Sequence, residues 1–145
     1  MLEMKVKTVA LVKDGSFSVL LTDVEEKNFL PIMVGPFEAQ AIALPLQGKA
    51  VPRPMTHDLL HSVCERLDAT VEKVVVHDIS EGTFYADLFL KTDSAEGEEI
   101  VIDSRPSDAI ALALRSEAPI YIGPHLIEFT YNSEDIVFSE KPDEQ

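Results

Sequence analysis

One short segment, Asp103-Ser104-Arg105-Pro106-Ser107-Asp108, carries side chains suited to binding a phosphate group. The segment joins a predicted strand to a predicted helix, so free N–H groups and the Arg105 guanidinium can hold an anion there. The carboxylates of Asp103 and Asp108 can hold a divalent cation. This combination suits phosphodiester hydrolysis, because a metal ion activates water and neutralises charge on the phosphate. The structural alternative is a capped helix with an ion pair between Arg105 and a carboxylate.

Glu38 occupies the place of Asp108 in an earlier, similar segment. Residues 36–44 (Pro-Phe-Glu-Ala-Gln-Ala-Ile-Ala-Leu) resemble residues 106–114 (Pro-Ser-Asp-Ala-Ile-Ala-Leu-Ala-Leu). In addition, Asp14-Gly15-Ser16-Phe17 recurs as Glu81-Gly82-Thr83-Phe84. These matches indicate two copies of one unit, at about residues 1–50 and 70–120, although Ala-rich helices can also resemble each other by chance. Such pseudo-symmetry would bring Glu38 near Asp108, so the candidate metal ligands are Glu38, Asp103 and Asp108.

A third group of chemically active side chains is His57-Asp58-Leu59-Leu60-His61. Two His four residues apart share a helix face, as in zinc proteases, but here Asp replaces the Glu of that motif. The pair begins in the first predicted helical turn and no third ligand follows at a fixed spacing, so zinc is the less favoured interpretation. His57 or Asp58 can instead support the helix N-terminus, which leaves His61 at the surface. His57 is also a candidate general acid or base.

Strand and helix patterns position these residues. Apolar and polar residues alternate over residues 17–22 and 84–91, which is typical of strands with one buried face. Pro36 and Pro106 fit the first turn of a helix. Between the copies, Thr56 is a predicted N-cap for an amphipathic helix with the apolar stripe Leu59, Leu60, Val63, Cys64 and Leu67. The sequence therefore predicts an α+β fold with a duplicated strand-turn-strand-strand-helix unit, a linking helix, and a mixed or antiparallel sheet.

Composition excludes several classes of protein. The chain has 145 residues and a formal net charge of −14, which disfavours tight, purely electrostatic binding of nucleic acid. Its longest apolar run has six residues, far below the roughly 20 that a membrane span needs. The first residues lack the order of a signal peptide, and the single cysteine, Cys64, is expected to be a small buried hydrophobic residue. A cytoplasmic location is the expectation.

Two further features concern the C-terminus and the surface. The folded domain is predicted to span residues 1–127, and residues 128–145 form an acidic C-terminal extension. No apolar residue follows Ser139, so disorder is expected from about residue 139. Tyr85 should point outward beside Asp87, where it can stack on a base or lie at an interface.

Four blocks in order give the chain a family resemblance. They are Leu30-Pro31-Ile32-Met33-Val34-Gly35-Pro36-Phe37-Glu38-Ala39-Gln40-Ala41-Ile42-Ala43, Arg53-Pro54-Met55-Thr56-His57-Asp58-Leu59-Leu60, Gly82-Thr83-Phe84-Tyr85-Ala86 and Asp103-Ser104-Arg105-Pro106-Ser107-Asp108-Ala109-Ile110-Ala111-Leu112-Ala113. Over about residues 3–127 the chain resembles the bifunctional nuclease domain family. The polar positions that match the family pattern are Glu38, Arg53, Thr56, His57, Asp58, Tyr85, Asp103, Arg105, Ser107 and Asp108. His61 lies outside that pattern.

The resemblance implies a homodimer and a DNase or RNase activity that has been attributed to some family members. The resulting hypothesis is a nuclease of low sequence specificity that uses Mg²⁺ or Mn²⁺ bound by Glu38, Asp103 and Asp108. The catalytic residues would be His57, Asp58 and Asp108, and the substrate contacts would be Arg53, Arg105, Ser107 and Tyr85. The alternative is a non-catalytic dimeric binding or regulatory module that uses the same polar cluster.

Overall fold

The first copy forms three antiparallel strands followed by a helix. A computed structural model describes residues 1–93 and 97–135 of the chain. In the first copy, successive short turns connect the strands, and Gly15 in the first turn has a φ of 92°, which favours glycine. The elements are β1 (Leu2–Leu11), β2 (Phe17–Asp23), β3 (Asn28–Val34) and α1 (Pro36–Leu46).

The second copy repeats this order after a linking helix. Pro106 begins its helix just as Pro36 begins α1, because proline has no N–H to lose at a first helical position. The elements are the linking helix α2 (Thr56–Arg66), then β4 (Ala69–Ser80), β5 (Thr83–Thr92), β6 (Glu99–Ser104) and α3 (Pro106–Ser116). A short strand β7 (Ile120–Ile122), a 3-10 helix (Pro124–Phe129), strand β8 (Tyr131–Asn132) and a 3-10 turn (Ser133–Asp135) follow.

All eight strands form one sheet, in the order β6-β5-β4-β7-β1-β2-β3-β8. β7 pairs parallel to β4 and antiparallel to β1, and the other neighbours are antiparallel. The prediction of an α+β fold with a mixed sheet is confirmed. β8 extends the sheet beyond residue 127, where the sequence analysis placed the end of the domain, and the predicted disordered tail lies outside the described residues.

The core lies between one face of the sheet and the helices. Ala86 and Leu88 of β5 are buried against it, together with the small side chains of α3. Because successive strand residues face opposite sides, Tyr85 and Asp87 lie on the outer face. Asp103 pairs with Asp87 across the ladder, so it shares that outer face.

The linking helix differs from its prediction in two ways. Met55, rather than Thr56, is the N-cap residue, because Met55 is extended and its N–H donates to Asp58 of the first turn at 2.8 Å. The apolar stripe is not covered: Leu59 and Leu67 are 59% and 72% exposed, and no residue of α2 is buried. Cys64 is only half-buried, and this burial raises the pKa of its thiol.

Within the described ranges, no helix has the length and apolar character needed to cross a membrane.

Candidate functional site

Asp108, in the first turn of α3, is the centre of a polar cluster at the N-termini of the helices. Its Oδ1 lies 2.9 Å from His57 Nε2, which comes from the first turn of α2. Arg105 Nε donates to its Oδ2 at 2.8 Å, and Arg105 Nη2 donates to Oδ1 at 3.2 Å. One carboxylate therefore joins an imidazole and a guanidinium.

Glu38 connects the first copy to this cluster. Arg105 Nη2 donates to Glu38 Oε2 at 3.3 Å, so the acids at corresponding positions of the two copies share one guanidinium. Glu38 folds back over Gly35, where a Cβ would collide with its carboxylate oxygen. The absence of a side chain at Gly35 thus leaves room for the Glu38 carboxylate.

The cluster is partly open to solvent, and its charges stabilise each other. Arg105 is 64% exposed, Asp108 34% and His57 13%. Burial alone would raise the pKa of Asp108, but hydrogen bonds from Arg105 and His57 outweigh it and hold that pKa below its ordinary value. The Asp108 carboxylate, and after it Glu38, raises the pKa of Arg105. Asp108 is therefore an anion and Arg105 a cation at neutral pH.

Asp58 belongs to a second, adjoining group of contacts. Its Oδ2 accepts the Met55 N–H, and its Oδ1 accepts Arg115 Nε at 2.6 Å. Arg115 is only 7% exposed, and its Nη1 also donates to the carbonyls of Ala41 at 2.8 Å and Ala111 at 2.9 Å. Asp58 therefore holds the start of α2 against α1 and α3, which makes it a positioning residue for the neighbouring His57.

Sequence reasoning missed Arg115, although a signal was present. Arg115 follows Asp108 by seven residues, which places the two on the same face of a helix. Asp58 follows His57 directly, so the His57–Asp108 hydrogen bond and the Asp58–Arg115 ion pair lie side by side between α2 and α3. Sequence spacing could have suggested this second pair.

The other predicted site residues lie elsewhere. Tyr85 is 42% exposed on the outer face of the sheet, which it shares with Asp103. Arg53 is exposed in the segment that precedes α2. Among the described residues, neither Tyr85 nor Arg53 makes a hydrogen bond or an ion pair with the Asp108 cluster. His61 Nε2 lies 3.8 Å from Glu65 Oε2 in the same helix. The partner of His61 is therefore Glu65, and not the Asp108 that contacts His57.

Of the three predicted metal ligands, Asp103 lies apart from Glu38 and Asp108. Asp103 faces the outer side of the sheet, whereas Glu38 and Asp108 lie on helices at the inner side. The Arg105 guanidinium already lies between Glu38 and Asp108. Across residues 1–93 and 97–135, no three His, Cys, Asp or Glu side chains are grouped so that they could hold a metal ion. The side chains present do not fit the three-carboxylate metal site.

A groove of about 270 Å³ lies beside Arg105. One wall is the end of β3 with the residue before α1, at residues 31–35. Another is the last residue of the β4–β5 turn with the start of β5, at residues 82–84. Residues 105–107, at the start of α3, complete it. Both copies therefore contribute to a depression that has a guanidinium at its edge, which is the arrangement expected of a small anion-binding site.

Comparison with known families identifies the domain. The sequence profile of the bifunctional nuclease domain matches residues 19–134, which includes the polar cluster and the groove. The chain belongs to the bifunctional nuclease domain family. The resemblance seen in the four sequence blocks is thereby confirmed.

Several relatives are similar to this domain. An uncharacterized protein of Mycobacterium tuberculosis (strain ATCC 25618 / H37Rv) is 42% identical over 104 residues, which cover 72% of this chain and 60% of that protein. Bifunctional nuclease 1 of Oryza sativa subsp. japonica is 29% identical over 115 residues, covering 79% of this chain and 34% of the rice protein. Bifunctional nuclease 1 of Arabidopsis thaliana is 27% identical over 97 residues, covering 67% and 30% respectively. The chain thus matches less than two thirds of the length of each relative.

Proposed function

We propose that this bifunctional nuclease domain hydrolyses phosphodiester bonds in DNA or RNA with low sequence specificity. The observation that carries the proposal is the Asp108 carboxylate, which binds His57 through Oδ1 and Arg105 through both oxygens. An acid-base group and a phosphate-binding group are thereby fixed next to each other. Membership of the family and the names of the plant relatives support the same chemistry.

His57 is the proposed proton-transfer group. Its Nε2 is engaged by Asp108, so Nδ1 is the ring nitrogen left for a reacting water molecule. As the water oxygen attacks phosphorus, Nδ1 takes a proton from the water and the bond to the leaving oxygen breaks. The imidazolium then returns that proton to the leaving oxygen, which gives a phosphomonoester and an alcohol. Asp108 orients the ring and stabilises its charged form.

Arg105 is the proposed phosphate contact. Its Nε and Nη2 donate to Asp108 and Glu38, and Nη1 has no hydrogen bond to any described residue. The exposed guanidinium therefore has N–H donors left for a phosphate oxygen. Because both carboxylates hold it by charge-assisted hydrogen bonds, its orientation is set before the substrate arrives.

Arg105 supplies positive charge at the place where a divalent ion was expected. The described side chains offer no three-ligand group for Mg²⁺ or Mn²⁺, so no step of the proposal depends on a metal ion. Arg53 and Tyr85 stay predictions as substrate contacts, because both lie outside the Asp108 cluster.

Steady-state hydrolysis of single- and double-stranded oligonucleotides tests the proposal. Asp108→Asn and His57→Gln should each lower kcat/KM by about 10²-fold to 10⁴-fold, the usual contribution of general acid-base catalysis. His61→Gln is the matched control, since His61 lies on the same helix but contacts Glu65. Circular dichroism and Tm show whether each variant keeps its fold. Parental rates in both Asp108→Asn and His57→Gln would refute the assignment.

The second candidate is a binding module without turnover. It is favoured by the fact that Asp58 and Asp108 already have hydrogen-bond partners and by the net charge of −14. Calorimetry with oligonucleotides and nucleotides separates the two candidates. Binding without release of product identifies the module, whereas cleavage that Asp108→Asn abolishes identifies the nuclease.

A homodimer is also part of the proposal. The stripe on α2 leaves Leu59, Leu60, Val63 and Leu67 between 42% and 72% exposed, and clustered exposed apolar side chains mark interaction surfaces. A second copy of α2 presents the same stripe, so a twofold contact would cover both.

A further inference from the structure

Ser107 is a buried residue whose hydroxyl is unpaired among the described residues. The residue is only 7% exposed, yet its hydroxyl makes no hydrogen bond to any residue in the described ranges. Among the described residues, Ser18 Oγ is the one side-chain polar atom that is both inaccessible to solvent and without a hydrogen-bond partner. Ser107 Oγ is not such an atom, although it also lacks a partner there. The Ser107 hydroxyl is therefore reachable, and the groove that Ser107 lines is the space next to it.

The start of α3 offers further donors at the same place. The helical ladder begins with the Ala109 amide, which donates to the Arg105 carbonyl. The amides of Ser107 and Asp108 precede it and are donors that a helix N-terminus leaves open. α3 has 11 residues, long enough for its N-terminal end to attract an anion. Ser107 and Arg105 both line the groove, and the open amides lie in the same first turn of α3. A hydroxyl, amides at a helix N-terminus and a guanidinium are the groups that commonly bind a phosphate.

The size and walls of the groove limit what accompanies that phosphate. About 270 Å³ is slightly below the volume of a pocket for a drug-sized molecule, so one nucleotide unit fits and a duplex does not. Pro31, Ile32, Val34 and Phe84 supply apolar surface along its walls. Apolar walls can pack against a sugar or an unpaired base.

Charge limits the number of phosphates that can be bound. The chain carries a net charge of −14, and Arg105 is the cation that lines the groove. Because the chain as a whole is strongly acidic and the groove lining contains no second Lys or Arg, we expect each additional phosphate of a long strand to add little affinity.

We infer that the groove binds a single nucleotide unit of an unpaired strand or strand end, with one phosphate held by Ser107, Arg105 and the first amides of α3. This inference rests on the proposed function for its class of substrate. It adds that affinity depends on one phosphate and one unpaired nucleotide, and hardly on the length of the strand.

Fluorescence anisotropy with phosphorothioate-linked oligothymidylates, which resist cleavage, tests this inference. Between chains of about two and about 16 nucleotides, Kd should change less than about threefold after correction for the number of sites. The slope of log K against log salt should be no steeper than about −1.5, the value for two phosphates of a single strand. Ser107→Ala should weaken binding about tenfold, as expected for a lost hydrogen bond to a charged group. Ser62→Ala, at an exposed position of α2, is the matched control and should bind like the parent.

The inference would be overturned by affinity that increases more than about tenfold with length, by tighter binding of a duplex than of a single strand, or by equal binding of Ser107→Ala and Ser62→Ala. Absence of binding to every oligonucleotide would also overturn it. The proposed function fails separately, because it requires turnover of a cleavable substrate. If binding is independent of strand length but no substrate is cleaved, the proposed function fails and this inference stands. If substrate is cleaved but affinity increases steeply with strand length, this inference fails and the proposed function stands.

Discussion

Arg115 Nε donates to Asp58 Oδ1 at 2.6 Å, although the two residues are 57 positions apart in the sequence. The same guanidinium bonds to carbonyls of α1 and α3. Three helices therefore meet at one nearly buried side chain. Since His57 precedes Asp58, this contact also sets the position of the proposed proton-transfer group.

Replacement of Arg115 should destabilise the fold. Arg115→Met keeps much of the side-chain volume but leaves the Asp58 carboxylate without its cation, and removal of one partner of a buried pair costs about 3 to 5 kcal/mol. Urea unfolding measures this as a lower free energy of unfolding. Arg66→Met, at an exposed position of α2, should change it by less than about 0.5 kcal/mol. Equal effects of the two substitutions would show that Arg115 does not join the helices.

Acid should weaken the contribution of Asp58. The Met55 amide lowers the pKa of Asp58 below its ordinary value of 3.8, an effect that burial opposes and Arg115 reinforces. Its stabilising effect is therefore complete above the unfolded-state pKa and is lost as pH falls through the lower folded-state pKa. Asp58→Asn should be less stable than the parent at neutral pH, and the difference should shrink below about pH 4. Urea unfolding at several pH values measures this, and a constant difference would contradict it.

Chelation should leave hydrolysis largely unchanged. Because Arg105 provides the positive charge between Glu38 and Asp108, excess EDTA should alter kcat/KM by less than about twofold. Arg105→Gln should instead lower it by about 10²-fold or more, as for loss of one transition-state donor. Loss of activity in EDTA and its recovery with Mg²⁺ or Mn²⁺ would contradict this prediction.

A charge on the apolar stripe of α2 should separate the proposed homodimer. Val63 is 43% exposed, so Val63→Glu is tolerated by the isolated fold but places a charge in a contact between two copies. Light scattering after size-exclusion chromatography should show a dimer for the parent and a monomer for Val63→Glu. Ser62→Glu adds the same charge beside the stripe and should remain dimeric. A monomeric parent would refute the proposed dimer.

Much of the fold follows from local patterns in the sequence. Alternation predicts β2 and β5 as strands, although β2 is buried on both faces and not on one as its pattern indicated. The prolines at positions 36 and 106 predict where α1 and α3 begin. The two similar segments also predict the common element order of the copies. These features depend on neighbouring residues, which is why sequence alone reveals them.

The candidate site was less predictable, because it depends on how distant elements pack. Glu38 and Asp108 share Arg105 only because both copies place their helices on the same face of the sheet. Asp103 is close to Asp108 in the sequence. However, successive strand residues face opposite sides, and Asp103 lies on the face of the sheet opposite to the helices. The apolar residues of the stripe on α2 have helical spacing. The same spacing occurs on a helix face that packs in the core and on an exposed face that binds another chain, so the sequence does not separate the two.

The three-residue strand β7 has a consequence for biosynthesis. In the described part of the chain it lies between β4 and β1, and it joins the half-sheets contributed by the two copies. A nascent chain that has emerged only as far as α3 leaves the facing edges of β1 and β4 without hydrogen-bond partners, a state that is prone to aggregation. A released chain truncated before residue 120 should therefore aggregate more readily than one truncated after residue 122.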